Sequence, residues 1–168
     1  MSTTIRFVNT KFTECVELCT ALDKKCFPQE MWLDDHEILS LIEADAWATI
    51  VTYNGREIGL TITITEAQAY SMLCNSDKRF TSNQNGAYSY SEAIDPQFQK
   101  RGIGQLLLKE SQIFLAKQGF TTLSAHVRRK NGWDRTRQTV LSVVSNRSVP
   151  NFWPEWLKEP VMYQQAQL

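Results

Sequence analysis

The sequence has no long apolar run, no net charge and few metal-binding side chains. Because no eighteen consecutive residues are apolar, we expect no membrane-spanning helix and no membrane partner. Residues 1–6 lack a charged segment followed by an apolar stretch, so we also expect no secretory signal and a cytoplasmic location. Hydrophobic residues make up 42% of the 168 positions, which is ordinary for a globular protein with one core.

Histidine and cysteine are scarce, with 2 and 4 residues respectively. Cys15 and Cys19 lie four residues apart on a predicted helix, but His36 is not at zinc-finger spacing from them. We therefore predict no metal site. The cysteines are interpreted as small apolar residues in a reducing compartment.

Charge is unevenly distributed, although its sum is zero. Acidic residues outnumber basic ones from Met1 to Asp45, whereas basic residues dominate from Arg128 to Arg147. An acidic N-terminal third favours a cationic substrate, and a basic segment favours a polyanion. An equally good interpretation is that both segments are solvated faces.

Apolar periodicity alternates between strand and helix patterns. Asn54-Gly55 favours a type I′ turn between two strands, which predicts a hairpin with one buried face. Asp34, with Glu37 three residues later, resembles a capping box. In chain order the pattern predicts strands at residues 4–8, 47–53, 57–65, 87–94, 121–127 and 160–164, helices at 11–24, from 34, at 103–117 and within 128–144, and a long loop at 66–86.

The segment from Ile94 to Leu108 combines a strand end, a glycine-bearing turn and a helix start. The first N–H groups of a helix have no partner within it and lie at the positive end of its dipole, so they suit a phosphate or pyrophosphate. Lys100 and Arg101 add positive charge. No Gly-Lys-Ser/Thr follows and no third glycine stands at Leu107, which excludes a Walker loop and a dinucleotide fingerprint.

The pattern Gln99-Lys100-Arg101-Gly102-Ile103-Gly104, preceded by Ile94-Asp95-Pro96 and followed by Gln105-Leu106-Leu107-Leu108, resembles motif A of the GCN5-related N-acetyltransferase (GNAT) superfamily. Nearly the whole chain follows the family's order of strands and helices. The resemblance implies a mixed α/β fold, with a central, mostly antiparallel mixed sheet of six to seven strands flanked by helices. It also implies a single N-acetyltransferase domain over residues 1–168, with acetyl-CoA as co-substrate.

The resemblance also implies which residues bind coenzyme A. Backbone N–H groups from Gln99 to Gly104 would hold the pyrophosphate, and Gln105 would lie beside them at the helix start. The strand edge near Ile94 would pair with the pantetheine arm, and the thioester would lie where this strand splays from its neighbour. Asn131 matches the spacing of a family asparagine near the pantetheine or the sulfur, but an ordinary helix cap explains it equally well.

Acetyl transfer requires that the cationic amine lose a proton, so a general base is expected. Glu92 is our candidate, because it lies two residues before Ile94 and shares a strand face with Tyr88 and Tyr90. The competing interpretation is a solvated or structural glutamate.

The family often supplies a tyrosine, on the helix after Asn131, that protonates the departing thiolate. In this chain the register falls on Arg137 and Gln138. The alternatives are Tyr163, solvent, or a reaction that needs no acid. His126 is interpreted as a packed or surface histidine rather than a catalytic one.

The resemblance thus implies an N-acetyltransferase that moves an acetyl group from acetyl-CoA to a primary amine of a small molecule or peptide by direct attack. One alternative is a non-catalytic acyl-CoA-binding module, consistent with the missing tyrosine. Another is a nucleic-acid-binding module built on Arg128 to Arg147, which is disfavoured because no aromatic residues form a known nucleic-acid motif there. A homodimer is compatible with the sequence.

Overall fold

The structure, a computed structural model, describes residues 4–153 and 159–168. Within these residues seven strands alternate with five α-helices and three short 3-10 turns. The strands are β1 (Ile5–Lys11), β2 (Trp47–Tyr53), β3 (Arg56–Thr65), β4 (Gly86–Ile94), β5 (Thr122–Arg128), β6 (Ser142–Val149) and β7 (Val161–Gln167). The helices are α1 (Val16–Cys26), α2 (Asp35–Glu43), α3 (Glu66–Leu73), α4 (Ile103–Lys117) and α5 (Trp133–Val140).

The strands form one mixed sheet in the order β1-β2-β3-β4-β5-β7-β6. Neighbours β1 and β2, β2 and β3, β5 and β7, and β7 and β6 run antiparallel. Strands β4 and β5 pair in parallel, with Gly86–Tyr88 against Thr122–Ser124. This arrangement confirms the predicted α/β class with a mostly antiparallel sheet and flanking helices. None of the described helices combines the length and apolar character that a membrane crossing needs.

Backbone contacts divide the described chain into two compact units, residues 4–64 with 90–111 and residues 65–89 with 112–153 and 159–168. The first unit contains the predicted hairpin, whose turn has Asn54 and Gly55 at φ values of 50° and 81°. It also contains the predicted capping box of α2, in which the Asp34 carboxylate accepts the Glu37 N–H and the Glu37 side chain accepts the Asp34 N–H. Both local predictions are confirmed. A single domain over residues 1–168 stays a prediction.

Strand β3 is buried on both faces, whereas the sequence predicted a single buried face. Thr61 and Thr63, on the face expected to meet water, are 1% and 3% exposed. The Thr61 hydroxyl hydrogen-bonds to the Ser111 hydroxyl of α4 at 2.9 Å. The prediction was wrong because threonine satisfies its own polar atom and therefore tolerates burial beneath a helix.

Two elements of the second unit were missed in the sequence. Helix α3 occupies the start of the predicted loop 66–86, and Thr65 and Gln68 form its capping box. Strand β6 lies where a helix or irregular chain was expected, and it pairs with β7. Its side chains alternate between exposed and half-buried until Val149, so its polar sequence shows no hydrophobic periodicity from which a strand can be predicted.

Gly59 of β3 leaves no space for a side chain, and we predict that Gly59→Ala destabilises the protein. A Cβ atom there would lie 2.5 Å from the Cδ1 atom of Ile94 and 2.6 Å from the carbonyl oxygen of Ala93. We expect urea denaturation to give a loss of about 1–3 kcal/mol in unfolding free energy. Gly55→Asn is the control, since that turn position is open and asparagine tolerates positive φ. An unchanged urea midpoint for Gly59→Ala would contradict the packing described.

Candidate functional site

The segment between β4 and α4, residues 95–102, forms an exposed loop in the first unit. A 3-10 turn at Pro96–Phe98 begins it, and Gln99 to Gly102 are solvent-exposed. Lys100 and Gly102 both have positive φ, 60° and 76°. No atom outside Gly102 and its two chain neighbours lies within 4 Å of the position that a Cβ of Gly102 would occupy, so the backbone is open to an approaching ligand.

The backbone N–H groups from Lys100 to Gly104 have no hydrogen-bond acceptor within the part of the chain that the structure describes. The pairing of N–H groups begins at Gln105, which donates to the Gly102 carbonyl at 3.1 Å, and Gln99 makes only a long 3.4 Å contact with Pro96. These unpaired donors lie in the last residues before the 15-residue helix α4 and in its first turn, so the helix dipole makes the region positive. An anion with several oxygens fits such a set of donors.

The Gln99 side chain fastens this loop to the end of β4. Its Nε2 atom donates to the Ile94 carbonyl oxygen at 2.9 Å. The sequence suggested a role for the backbone of Gln99, and the structure gives its side chain a separate role in shaping the loop. Glu92, Ile94 and the residues from Gln99 to Gln105 therefore belong to one unit and one continuous stretch.

A buried carboxylate, Asp95, anchors the base of the loop. Asp95 is 1% exposed, pairs with the Lys25 ammonium and lies 3.6 Å from the Arg56 guanidinium. Its Oδ1 atom accepts the Gln97 N–H at 3.0 Å. Burial alone would raise the pKa of Asp95, but the hydrogen bonds from Lys25 and Gln97, together with the charges of Lys25 and Arg56, hold it below its usual value. The sequence offered only an aspartate before a proline as a signal for this role.

The Phe98 side chain of the loop contacts one aromatic ring and two guanidinium groups. Its ring lies 5.3 Å from the Tyr53 ring, and the guanidinium groups of Arg56 and Arg101 lie 5.5 and 5.4 Å from its centroid. Arg101 also donates to the Gln97 carbonyl oxygen at 3.2 Å. The Arg101 charge is thus held close to the loop backbone, where it adds to the positive potential.

Tyr90 and Glu92 lie on one face of β4, as the strand alternation predicted. The Tyr90 hydroxyl donates to the Glu37 carboxylate of α2 at 2.5 Å, and the other oxygen of Glu37 accepts the Asp34 N–H at 3.1 Å. Glu92 is half-buried. The face of β4 that carries the proposed base therefore contacts an acidic helix start.

Asp23 of α1 adds a second buried acid to this unit. It is 2% exposed and accepts the Leu33 N–H at 2.8 Å. Burial raises its pKa to about 6, the Leu33 hydrogen bond opposes the rise, and the negative charge of Glu37 adds to it. The sequence gave this residue only as one acid among many in an acidic segment, because its burial arises from tertiary packing.

Asn131, the remaining predicted cofactor residue, belongs to the second unit. Its side-chain oxygen accepts the Trp133 N–H at 3.0 Å, beside Gly132, which has a φ of 75°. Asn131 therefore lies just before α5, whose N-cap residue is Gly132, and its place beside coenzyme A stays a prediction. Arg137, at the register where the family places a tyrosine, is fully buried.

The second unit buries a polar chain around His126, which the sequence had suggested was packed or exposed. The His126 ring is hydrogen-bonded on both sides, to Asp77 Oδ2 through Nε2 and to the Tyr88 hydroxyl through Nδ1, each at 2.9 Å. Arg147 donates to both oxygens of Asp77, at 3.1 and 2.5 Å. These residues come from a loop and three strands, so no local sequence pattern predicts that they lie together.

A cavity of about 680 Å³ in the second unit contains part of the basic segment that suggested nucleic-acid binding. Arg129, Lys130 and Arg135 line it, but so do Asp134 and Glu159. The mixed signs give no continuous basic face, so the cavity does not favour a polyanion. Over residues 4–153 and 159–168, no three histidine, cysteine or acidic side chains lie together as a metal ion would require.

No family model and no curated protein sequence matches this chain. Solved structures do match it. The ribosomal-protein-S18-alanine N-acetyltransferase from Escherichia coli has a TM-score of 0.69 at 18% identity, covering 98% of this chain and 94% of its own. The IAA acetyltransferase from Bacillus cereus has a TM-score of 0.67 at 10% identity, covering 98% and 100%. YncA from Salmonella typhimurium, with its cofactor acetyl-CoA, has a TM-score of 0.62 at 15% identity, covering 100% and 95%.

These similarities confirm the predicted fold. The chain has the fold of GNAT-family acetyltransferases along nearly its whole length.

The buried Asp95 carboxylate makes stability depend on pH in a predictable direction. We expect Asp95→Asn to lower the unfolding free energy at pH 7 by about 2 kcal/mol, since it removes hydrogen bonds to a charged group. The lowered pKa contributes stability that is present above the unfolded-chain value of about 3.9 and is lost as the pH falls through the folded-state pKa.

Urea melts of the wild type and of Asp95→Asn at pH 7 and at a series of lower pH values measure this effect, and the two proteins should converge only below the lowered folded-state pKa of Asp95. Asp45→Asn is the control, because Asp45 pairs with Lys11 but is 70% exposed. We expect that variant to change stability by less than about 1 kcal/mol. A constant difference between wild type and Asp95→Asn at all pH values would contradict the assignment.

Proposed function

We propose that this protein is an N-acetyltransferase that transfers the acetyl group of acetyl-CoA to a primary amine. The observation that carries the proposal is the set of N–H groups from Lys100 to Gly104, at the end of the exposed loop and in the first turn of α4, which have no acceptor within the described chain. A diphosphate is the anion for which such a loop is suited. The GNAT fold adds support, because it is the fold of acetyltransferases.

Coenzyme A fits the residues present. The free N–H groups and the charges of Lys100 and Arg101 would hold its diphosphate, and the absence of atoms around Gly102 leaves room for it. From there the pantetheine arm would follow β4 from Ile94 toward Tyr90, hydrogen-bonding to the strand as an added strand does. The YncA structure contains acetyl-CoA, which supports the same co-substrate for a chain of this fold. The co-substrate supplies the thioester, and no metal is required.

Glu92 would remove the proton from the incoming ammonium group, because it lies on β4 along the proposed path of the arm. The acidic groups of the same unit, Glu37 and Asp23, would favour a cationic acceptor over a neutral or anionic one. The amine would then attack the thioester carbonyl directly, since none of the cysteines is proposed to carry an acetyl group.

The acceptor is proposed as a primary amine of a small molecule or a peptide. The Escherichia coli structure is that of an enzyme for an alanine of a ribosomal protein, so a peptide N-terminus is a reasonable member of this class. A screen of primary amines that measures free thiol released from acetyl-CoA tests the proposal. Binding of coenzyme A without thiol release from any amine would favour the acyl-CoA-binding module instead.

The loop assignment predicts that Gly102→Glu abolishes acetyl-CoA binding in a calorimetric titration. A carboxylate at this position would repel the diphosphate and fill the space above the N–H groups. Gly119→Glu is a matched control, because Gly119 is also exposed, has a φ of 91° and has no atom within 4 Å of its Cβ position. The two variants therefore carry the same backbone strain and charge. If Gly102→Glu bound acetyl-CoA as tightly as the control Gly119→Glu, the loop would not be the phosphate site.

The base assignment predicts that Glu92→Gln lowers kcat by about 100-fold or more, while the Kd for acetyl-CoA stays unchanged. The amide cannot accept the ammonium proton, but it has nearly the shape of the acid. Thiol release with the best amine from the screen measures kcat, and calorimetry measures Kd. A variant with the wild-type rate would exclude Glu92 as the base.

A further inference from the structure

Two cysteine thiols of the first unit are in contact at the start of α1. Cys15 is the N-cap residue of this helix, and Cys19 lies one turn further along it. Their Sγ atoms are 3.5 Å apart, and neither sulfur is in a disulfide. The Cys19 N–H donates to the Cys15 carbonyl oxygen at 2.9 Å, so the first turn of the helix holds both side chains on one face.

The two thiols have different hydrogen-bonding roles. The Cys15 sulfur lies 3.4 Å from the Lys11 carbonyl oxygen, to which its S–H donates. Because a thiol has a single proton, Cys15 is then the acceptor in the sulfur–sulfur contact and Cys19 is the donor. When Cys15 loses its proton, the Cys19 S–H is therefore already directed at the thiolate.

Burial and charge separate the two thiols in the same way. Cys15 is partly exposed, whereas Cys19 is 0% exposed. The hydrogen bond from Cys19 lowers the pKa of Cys15, although burial and the negative charge of Glu14 oppose the shift. The contact with Cys15 raises the pKa of Cys19, and burial raises it further. Cys15 is thus the accessible nucleophile of the pair, and Cys19 is a buried thiol that keeps its proton.

The position of Cys15 on α1 also favours its thiolate. It lies at the positive end of the dipole of an 11-residue helix, which stabilises a negative charge. Cys26, the last residue of the same helix, lies at the negative end and is also partly exposed. Burial, and then the charge of Asp95, raises the pKa of Cys26 to about 12, although Lys25 opposes the rise. Cys26 therefore provides an internal comparison of a similar thiol in the opposite electrostatic setting.

We infer that Cys15 is a site of reversible oxidation by a peroxide, and that Cys19 converts the oxidised Cys15 into a disulfide within the chain. Residues one helical turn apart have Cα atoms about 6 Å from one another, which is within the range that a disulfide spans. The sulfurs need to approach from 3.5 Å to a bond length of about 2 Å. Cys15 permits this approach because, at φ −142° and ψ 26°, it lies outside the regular helix.

The oxidation balances in two steps. The Cys15 thiolate attacks one oxygen of the peroxide, the O–O bond breaks, and the departing hydroxide takes a proton to become water. Cys15 is now a sulfenic acid, oxidised by two electrons, and the peroxide is reduced. The Cys19 sulfur then attacks the Cys15 sulfur, the S–O bond breaks, and the hydroxide leaves as water with the Cys19 proton. Two thiols and one hydrogen peroxide thus become one disulfide and two waters.

Peptide mapping of the wild type after hydrogen peroxide treatment tests the inference. Cys15 and Cys19 share the tryptic peptide 12–24, because no lysine or arginine separates them, and Cys26 lies on another peptide. After alkylation in urea, we expect peptide 12–24 to have lost two hydrogens and to carry no alkyl group, while Cys26 and Cys74 are alkylated. Dithiothreitol should restore both alkylation sites in peptide 12–24.

Three serine variants assign the roles. Cys19→Ser keeps a hydroxyl donor beside Cys15 and should stop the reaction at the Cys15 sulfenic acid, which dimedone captures. Cys15→Ser should give neither a dimedone adduct nor a disulfide in this peptide. Cys26→Ser is the matched control, because it removes a partly exposed cysteine of the same helix and should form the disulfide as the wild type does.

Alkylation of the folded wild type tests the activation of Cys15 without any variant. At pH 7 we expect iodoacetamide to modify Cys15 at least about tenfold faster than Cys26, since the thiolate is the reactive form. Equal rates would overturn the inference, because Cys15 would then be no better a nucleophile than a thiol at the wrong end of the helix.

Two free thiols in peptide 12–24 after peroxide treatment would also overturn it. So would a disulfide from Cys15 to Cys26 or to a second chain, since the pairing would then not follow the sulfur–sulfur contact. These measurements use no acetyl-CoA and no amine, so their outcome is independent of the proposed N-acetyltransferase function.

Discussion

The ion pair between Asp95 and Lys25 is the interaction on which the candidate cofactor site depends. The N–H groups from Lys100 to Gly104 have no acceptor within the described chain, so few backbone hydrogen bonds hold this exposed loop in one shape. The buried carboxylate supplies the missing constraint. It holds the base of the loop through Lys25, Arg56 and the Gln97 N–H, while the Phe98 ring packs against the Tyr53 ring.

The second unit uses the same principle on a different set of residues. Asp77 and His126 are both buried, and each has hydrogen-bond partners that satisfy its polar atoms. A buried carboxylate that lost these donors would be strongly unfavourable, so the donors and the acid hold one another in place. The network therefore fixes the loop that follows α3 against two strands of the unit.

The sequence predicted best where the signal was local. The bounds of α4, the turn at Asn54-Gly55 and the capping box of α2 are set by residues within a few positions of one another, and all three were confirmed. The prediction failed where the partner is distant. Strand β6 is defined by its pairing with β7, and the burial of Thr61 is defined by α4.

The sequence by itself determined the fold class and the position of the Gln99–Gly104 pattern, because strand periodicity, glycines and a helix start are properties of short segments. Only the tertiary structure decided that Asp95 anchors that loop and that His126 bridges Asp77 and Tyr88. Burial and hydrogen-bond partners arise when distant segments pack together. The chemistry of these acids, of the histidine and of the tyrosine therefore follows from neighbours that the linear order does not reveal.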